Sequence, residues 1–127
     1  MSGKESSMAV EYKERRRHPR YICDTGVRIH PEKGNAGYWG TLSDISEGGC
    51  YIYTFSPLPV GQIVTLIIKI DNTEVSVGGK TVSSHPGVGM GVAFQSFVHE
   101  DGEIRLKAYL EVLAKSPKPK DQIAVFH

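Results

Sequence analysis

Two short motifs place arginine, carboxylate and hydroxyl side chains at spacings suited to nucleotide binding. Residues 16–20, RRHPR, contain an R-x-x-x-R pattern, and residues 44–49, DISEGG, contain a D-x-S-x-x-G pattern. A guanidinium presents a planar fork of donors that suits phosphate oxygens and the O6/N7 edge of guanine, whereas a carboxylate accepts hydrogen bonds from the N1/N2 edge. Together the motifs predict a site for a guanine-containing, phosphate-rich ligand.

The charge distribution favours a small anionic ligand. The chain of 127 residues has a formal net charge of +1, but residues 11–20 hold five basic and two acidic side chains, which gives this decapeptide +3 and leaves −2 for the remainder. Domains that bind long nucleic acids normally carry basic residues over a whole face. Positive charge confined to one decapeptide therefore suits a small polyanion better than a long nucleic acid.

The elements that must position these motifs read as short strands. Apolar and polar residues alternate in six segments separated by turn-forming residues: 21–29, 38–44, 50–53, 62–70, 75–82 and 88–94. The second segment ends at Asp44. Residues 46–49 then form a tight loop, whose glycines allow positive φ and a close approach of backbone to ligand. A plain hairpin would also explain these glycines. Gly78-Gly79 predicts a bulge that lets a barrel bend.

Near the C-terminus the apolar pattern changes from a strand period to a helix period. Five apolar residues follow an acidic start at 101–103 with helical spacing: Ile104, Leu106, Tyr109, Leu110 and Leu113. Their shared face must pack on the strands or on a partner. We therefore expect an all-β fold with one helix: a small six-stranded antiparallel β-barrel plus a C-terminal α-helix at about 101–115.

Length and composition predict a single domain. A chain that is 39% hydrophobic and 23% charged at this length holds enough apolar residues for one core and too few for two. We expect a flexible N-terminus (1–12), a barrel domain (13–115) that opens with the basic segment 13–20, and a tail (116–127). No signal-peptide core and no run of roughly 20 apolar residues is present, so the expected location is cytoplasmic, without membrane insertion.

The order, spacing and identity of the motif residues resemble the PilZ domain, a bacterial receptor for the second messenger cyclic di-GMP (c-di-GMP). The resemblance covers roughly residues 11–115. A third matching feature is the segment 89–94, GMGVAF, which looks like the glycine-then-apolar strand that closes the barrel in this family. The resemblance implies a PilZ-like β-barrel and second-messenger signalling through c-di-GMP binding.

Carried onto this sequence, the resemblance implies a role for each motif residue. Arg16 and Arg20 contact guanine and phosphate. Asp44 and Ser46 hydrogen-bond the base edge or the sugar-phosphate, and Gly49 keeps the loop open. All of these residues stand at the family's motif positions.

Arg15, directly before the R-x-x-x-R pattern, predicts the stoichiometry. In the family an arginine at this place goes with two stacked cyclic di-GMP molecules, because an additional guanidinium can stack on or fork to the second guanine. The expected ligand-binding residues are therefore Arg15, Arg16, Arg20, Asp44, Ser46 and Gly49.

We expect a receptor that signals by ordering its arginine-rich segment. Without ligand the clustered arginines repel one another, and the dianionic ligand neutralises them and holds the segment across the barrel. The ordered segment would then change affinity for an unidentified effector protein. The C-terminal helix or the tail offers a surface for oligomerisation.

No catalytic or metal-binding pattern competes with this interpretation. The sequence has no G-x-S-x-G elbow and no G-x-x-x-x-G-K loop, and its five histidines show no metal spacing, with His18 merely near the site. Cys23 and Cys50 fall in predicted strands and read as two small hydrophobic residues in a reducing compartment. We therefore expect no enzyme activity, no cofactor and no metal.

Two other functions stay open on the residues alone. One is a small barrel that binds single-stranded nucleic acid through the arginines and four stacking aromatic residues: Tyr38, Trp39, Tyr51 and Tyr53. The confinement of the basic residues argues against it. The other is a ligand-independent adaptor that assembles through the apolar helix face and the tail.

Overall fold

The predicted strands close into an antiparallel barrel. The computed structural model describes residues 18–33, 36–70 and 72–115. These residues form six strands and one helix: β1 (Tyr21–Pro31), β2 (Tyr38–Ile45), β3 (Gly49–Tyr53), β4 (Ile63–Ile70), β5 (Thr73–His85), β6 (Gly89–Phe97) and α1 (Gly102–Lys115). Around the barrel the order is β1-β2-β3-β6-β5-β4, and β4 pairs back with β1. The predicted fold class is confirmed.

Period-2 alternation builds the core of the barrel. In β4, Val64, Leu66, Ile68 and Ile70 are buried while Lys69 is exposed. Burying each such side chain contributes roughly 1.5–3 kcal/mol relative to leaving it in water. The other strands fill the interior in the same way: Val27, Ile29, Leu42, Ile45, Ile52, Val75, Val77, Met90 and Val92.

Helix α1 packs on the barrel through Leu106 and Leu110, which lie one turn apart and are both buried. Tyr109 and Leu113 pack against the same core. Ile104, which the helical pattern grouped with them, is 71% exposed. Ile104 stands two residues before Leu106, which is about 200° around the helix axis, so its side chain lies on the opposite side of the helix. No helix in the described part of the chain is both long and apolar enough to cross a membrane.

Irregular strand pairing distorts the barrel beside Asp44. The register of β1 on β2 shifts between Ile22 and Thr25, and that of β2 on β3 shifts between Leu42 and Asp44. Bulges of this kind bend a strand and re-aim its side chains. The bulge predicted at Gly78-Gly79 is confirmed by a register shift between β5 and β6. The register shifts in the β1–β2 and β2–β3 pairings therefore both lie close to Asp44, the candidate guanine acceptor.

Candidate ligand-binding site

The two motifs meet at one end of the barrel. Arg20 directly precedes β1, Asp44 is the second-last residue of β2, and Tyr21 pairs with Ile45. This register brings Arg20 Nη1 to 3.4 Å from Asp44 Oδ1, although 24 residues separate them. The side chains are 44% and 21% exposed. An ion pair in such contact with water contributes about 0–1 kcal/mol, so a competing ligand can replace it.

The loop of residues 46–48 is held by its own hydrogen bonds. The Ser46 N–H donates to the Gly49 carbonyl at 2.8 Å, and the Gly48 N–H donates to Ser46 Oγ at 3.2 Å. The Ser46 hydroxyl donates to the Gly49 carbonyl at 3.3 Å, and the Phe94 N–H donates to the Gly48 carbonyl at 2.9 Å. Ser46 Oγ has two lone pairs, and the Gly48 N–H occupies one of them, so the other is left to accept a hydrogen bond from a ligand.

Gly49 packs against β6. Glycine allows positive φ, but neither Gly48 nor Gly49 adopts it; among the described glycines Gly61 and Gly87 do, at 95° and 77°. Gly49 is already the first residue of β3, and a Cβ placed on it would overlap the carbonyl oxygen of Val92. The missing side chain therefore lets β3 approach β6 and fixes where the loop ends.

His18 covers the outer side of the loop. Its Cδ2 lies 3.2 Å from the position that a Cβ on Gly48 would take, and its Nδ1 lies 3.8 Å from Glu47 Oε1. The segment before β1 and the D-x-S-x-x-G loop are therefore in contact through His18 as well as through Arg20. Arg15 and Arg16 lie outside the described residues.

The carboxylate charge of Asp44 helps to raise the pKa of neighbouring groups on both strands that flank β2. Burial raises the pKa of the Cys23 thiol to about 12, and the Asp44 carboxylate adds to this shift. Burial, again reinforced by Asp44, raises the pKa of Cys50 well above its usual value. Burial first, then Tyr53 and Asp44, raise the pKa of the Tyr51 phenol. The thiols of Cys23 and Cys50 therefore stay protonated at neutral pH.

Tyr51 is a site neighbour that no sequence motif contains. It lies directly opposite Asp44 in the β2–β3 pairing, and its hydroxyl is 2.8 Å from His85 Nδ1. Alternation along β3 predicts that Tyr51 and Tyr53 share a face of the barrel. Tyr51 pairs with Asp44 because the register shifts after Leu42. The sequence of one strand does not determine such a shift, so the pairing could not be predicted from it.

Helix α1 adjoins both motifs. A cavity of about 530 Å³ opens beside Asp44 between the outer face of β1–β3 and the helix residues Tyr109 and Leu113. A smaller one of about 190 Å³ separates Pro19 and Glu47 from the same helix. The larger volume falls in the range of small-molecule sites. Anything that occupies either cavity also contacts α1.

Comparisons with known proteins identify the family of this fold. The family model described as PilZ domain matches residues 14–112. Among solved structures the chain is similar to the MrkH–c-di-GMP complex of K. pneumonia, with 22% identity, 83% of this chain and 54% of that chain covered, and a TM-score of 0.66. It is also similar to the PilZ domain of YcgR from Escherichia coli with c-di-GMP, with 15% identity, coverage of 85% and 98%, and a TM-score of 0.64.

A third similar structure is the Bacillus subtilis inhibitor of motility MotI/DgrA, with 15% identity, coverage of 81% and 53%, and a TM-score of 0.63. The chain therefore spans about half the length of MotI/DgrA and of MrkH. A search of curated proteins found no match. At these identities the structural likeness establishes the fold, and the family match covers more than three quarters of the chain. The chain belongs to the PilZ domain family.

Proposed function

We propose that this chain is a receptor for cyclic di-GMP. The observation that carries the proposal is the contact of Arg20 with Asp44, because it joins the two motifs into one site. Membership of the PilZ family supports it, as do the c-di-GMP complexes of MrkH and YcgR among the similar structures. The proposed ligand-binding residues are Arg15, Arg16, Arg20, Asp44, Ser46 and Gly49.

The site offers complementary groups to the two edges of guanine. Arg20 can fork to a phosphate or to O6/N7, and Asp44 can accept from N1–H and the N2 amino group. Both groups are already adjacent, so binding exchanges one exposed ion pair for charge-assisted hydrogen bonds to the ligand. Ser46 Oγ adds an acceptor from the loop below. Gly49 contributes by fixing the loop that presents Ser46.

Binding, and not catalysis, is the function that the described groups support. The thiols of Cys23 and Cys50 have raised pKa values, which disfavours the nucleophilic thiolate. Within the described ranges no three His, Cys, Asp or Glu side chains form a group that could hold a metal ion. Both cysteines are free, and we place the receptor in the cytoplasm, where thiols stay reduced.

Signalling is proposed to proceed by ordering of residues 13–20. The ligand neutralises the clustered arginines and holds this segment against the barrel. His18 already contacts the 46–48 loop, and Pro19 faces α1 across the smaller cavity. A change in the position of the segment is therefore passed to the helix surface. That surface, together with the segment, is where an effector protein or a second copy of the chain would bind.

Hydrogen exchange tests the ordering directly. Cyclic di-GMP should slow amide exchange in residues 13–20. Strand β4 is the internal control, because it lies across the barrel from the 46–48 loop, and its exchange should change little. Equal protection of residues 13–20 with and without ligand would contradict the switch and leave a preformed pocket.

A second candidate function is favoured by an exposed aromatic surface. Trp39 and Tyr53 are more than half exposed and line a groove of about 510 Å³ with Phe55, and the Arg28 guanidinium lies 5.7 Å from the Trp39 ring centroid. Such rings can stack on the bases of single-stranded nucleic acid. Titration with a short oligonucleotide beside cyclic di-GMP separates the two candidates, and tight binding of the oligonucleotide alone would favour the second.

A further inference from the structure

Tyr51 forms a supported aromatic surface beside Asp44. The pairing of β3 with β6 sets it opposite Gly91. A Cβ on Gly91 would lie 3.7 Å from Tyr51 Cδ1, and a Cβ on Gly89 would lie 2.8 Å from Tyr51 Cε2. These two atoms are opposite corners of the ring, so the ring spans both glycines. A side chain at position 89 would overlap the backbone carbonyl oxygen of Ile52 and also crowd the ring.

Two further contacts hold this ring in place. The Tyr51 hydroxyl is 2.8 Å from Nδ1 of His85, the last residue of β5, and the Tyr53 ring meets it edge-on with centroids 6.0 Å apart. The side chain nevertheless remains partly accessible to solvent. An aromatic ring that is fixed before binding loses little conformational entropy when a ligand stacks on it.

We propose that Tyr51 is the stacking platform for a guanine base of the bound cyclic dinucleotide. This inference rests on the proposed function, because it requires the ligand to bind at Asp44. Asp44 lies directly across the strand pair from Tyr51, so one base can meet the carboxylate with its edge and the phenol ring with its face. Gly89 has a role in this arrangement, because it leaves room for the platform on the surface of β6, and Gly91 lies under the ring at ordinary contact distance.

Calorimetric titration of cyclic di-GMP into wild type and three variants tests the platform. Tyr51→Ile removes the ring but suits a strand, Tyr51→Phe keeps the ring, and Phe55→Leu removes an aromatic side chain that is 88% exposed and outside the site. Tyr51→Ile should weaken binding about five- to 150-fold, the effect of losing one base–aromatic stack. Phe55→Leu should stay close to wild type, and Tyr51→Phe, which keeps the ring but loses the hydroxyl contact with His85, should lose much less affinity than Tyr51→Ile.

Binding by Tyr51→Ile that equals wild type overturns the platform and leaves the proposed function intact. Failure of the wild-type protein to bind cyclic di-GMP overturns both. A second readout separates stacking from a merely structural effect of the substitution. The guanine H8 resonance of the ligand should move upfield on saturation of wild type and Tyr51→Phe and much less on saturation of Tyr51→Ile. Equal H8 shifts in all three proteins would contradict stacking even if affinity fell.

Discussion

Arg20 and Asp44 are 24 residues apart in the chain, and Arg20 Nη1 lies 3.4 Å from Asp44 Oδ1 across the first strand pair. The guanidinium and the carboxylate that suit opposite edges of guanine are therefore neighbours in the folded chain. Their mutual contact is weak because water reaches both side chains. A ligand that offers a phosphate to Arg20 and N–H donors to Asp44 can replace it with stronger, charge-assisted bonds.

Asp44→Ala should reduce affinity for guanine ligands more than for adenine ligands. Adenine lacks the N1–H and N2 donors that the carboxylate accepts, so the specific loss is confined to cyclic di-GMP and amounts to about 1–3 kcal/mol. Parallel titrations with cyclic di-GMP and cyclic di-AMP measure it, and Glu74→Ala, an exposed carboxylate on β5, is the control. Equal losses for both ligands would show that Asp44 acts only on the structure of the site.

Gly49→Ala should destabilise the fold by about 1–3 kcal/mol, because the added Cβ overlaps the Val92 carbonyl and neither strand can yield easily. Gly48→Ala is the control: its Cβ would meet the imidazole of His18, a side chain that can move away. Urea denaturation of the two variants measures the difference in unfolding free energy. If Gly48→Ala proves the more damaging of the two, the packing argument for Gly49 is wrong.

The Cys23 thiol should react slowly with alkylating reagents at pH 9. Its pKa is raised from 9.0 to about 12, first by burial and then by Asp44, so the thiolate is scarce in this range. Asp44→Asn removes one charge that opposes ionisation, which lowers this pKa and raises the thiolate fraction. Alkylation of the Cys23 peptide, followed by mass spectrometry, should therefore be faster in the variant. A slower or unchanged rate would mean that the charge of Asp44 does not act on Cys23.

Arg15→Leu should change the stoichiometry of binding. With an arginine before the R-x-x-x-R motif we expect two stacked cyclic di-GMP molecules per chain, and the variant should bind one because the second guanine loses its guanidinium partner. Calorimetry at saturating ligand gives both ratios, and Lys13→Leu controls for the loss of a positive charge nearby. A ratio near one for the wild-type chain would refute the stacked pair and leave single-molecule binding possible.

Much of the fold follows from the sequence because alternation and helical spacing are local properties of the chain. β4 and α1 illustrate this: Val64 to Ile70 alternates strictly, and Leu106 and Leu110 are one helical turn apart. Two features escaped because they depend on how elements pair: the contact of Gly49 with Val92 and the pairing of Tyr51 with Asp44. The outward position of Ile104 is different, because it follows from helical spacing alone and was misassigned to the apolar face.

The candidate site divides in the same way. Asp44, Ser46 and Gly49 were found as a motif because a loop between two strands keeps its residues in sequence. The motif alone did not show that the Ser46 hydroxyl proton is used inside the loop, since that depends on the fold of residues 46–49. Nor did it reveal Tyr51, whose place beside Asp44 results from a bulge in β2.

Isothermal calorimetry of cyclic di-GMP with wild type, Arg16→Ala, Arg20→Ala and Arg105→Ala tests the central claim most directly. Arg105, on α1, is the matched control because its guanidinium pairs at 3.0 Å with Asp101, just before the helix, and takes no part in either motif. The wild type and Arg105→Ala should bind with equal affinity. Each motif variant should bind about five- to 150-fold more weakly, the loss of one bidentate contact of about 1–3 kcal/mol. No heat from the wild-type protein at high micromolar ligand would contradict the account.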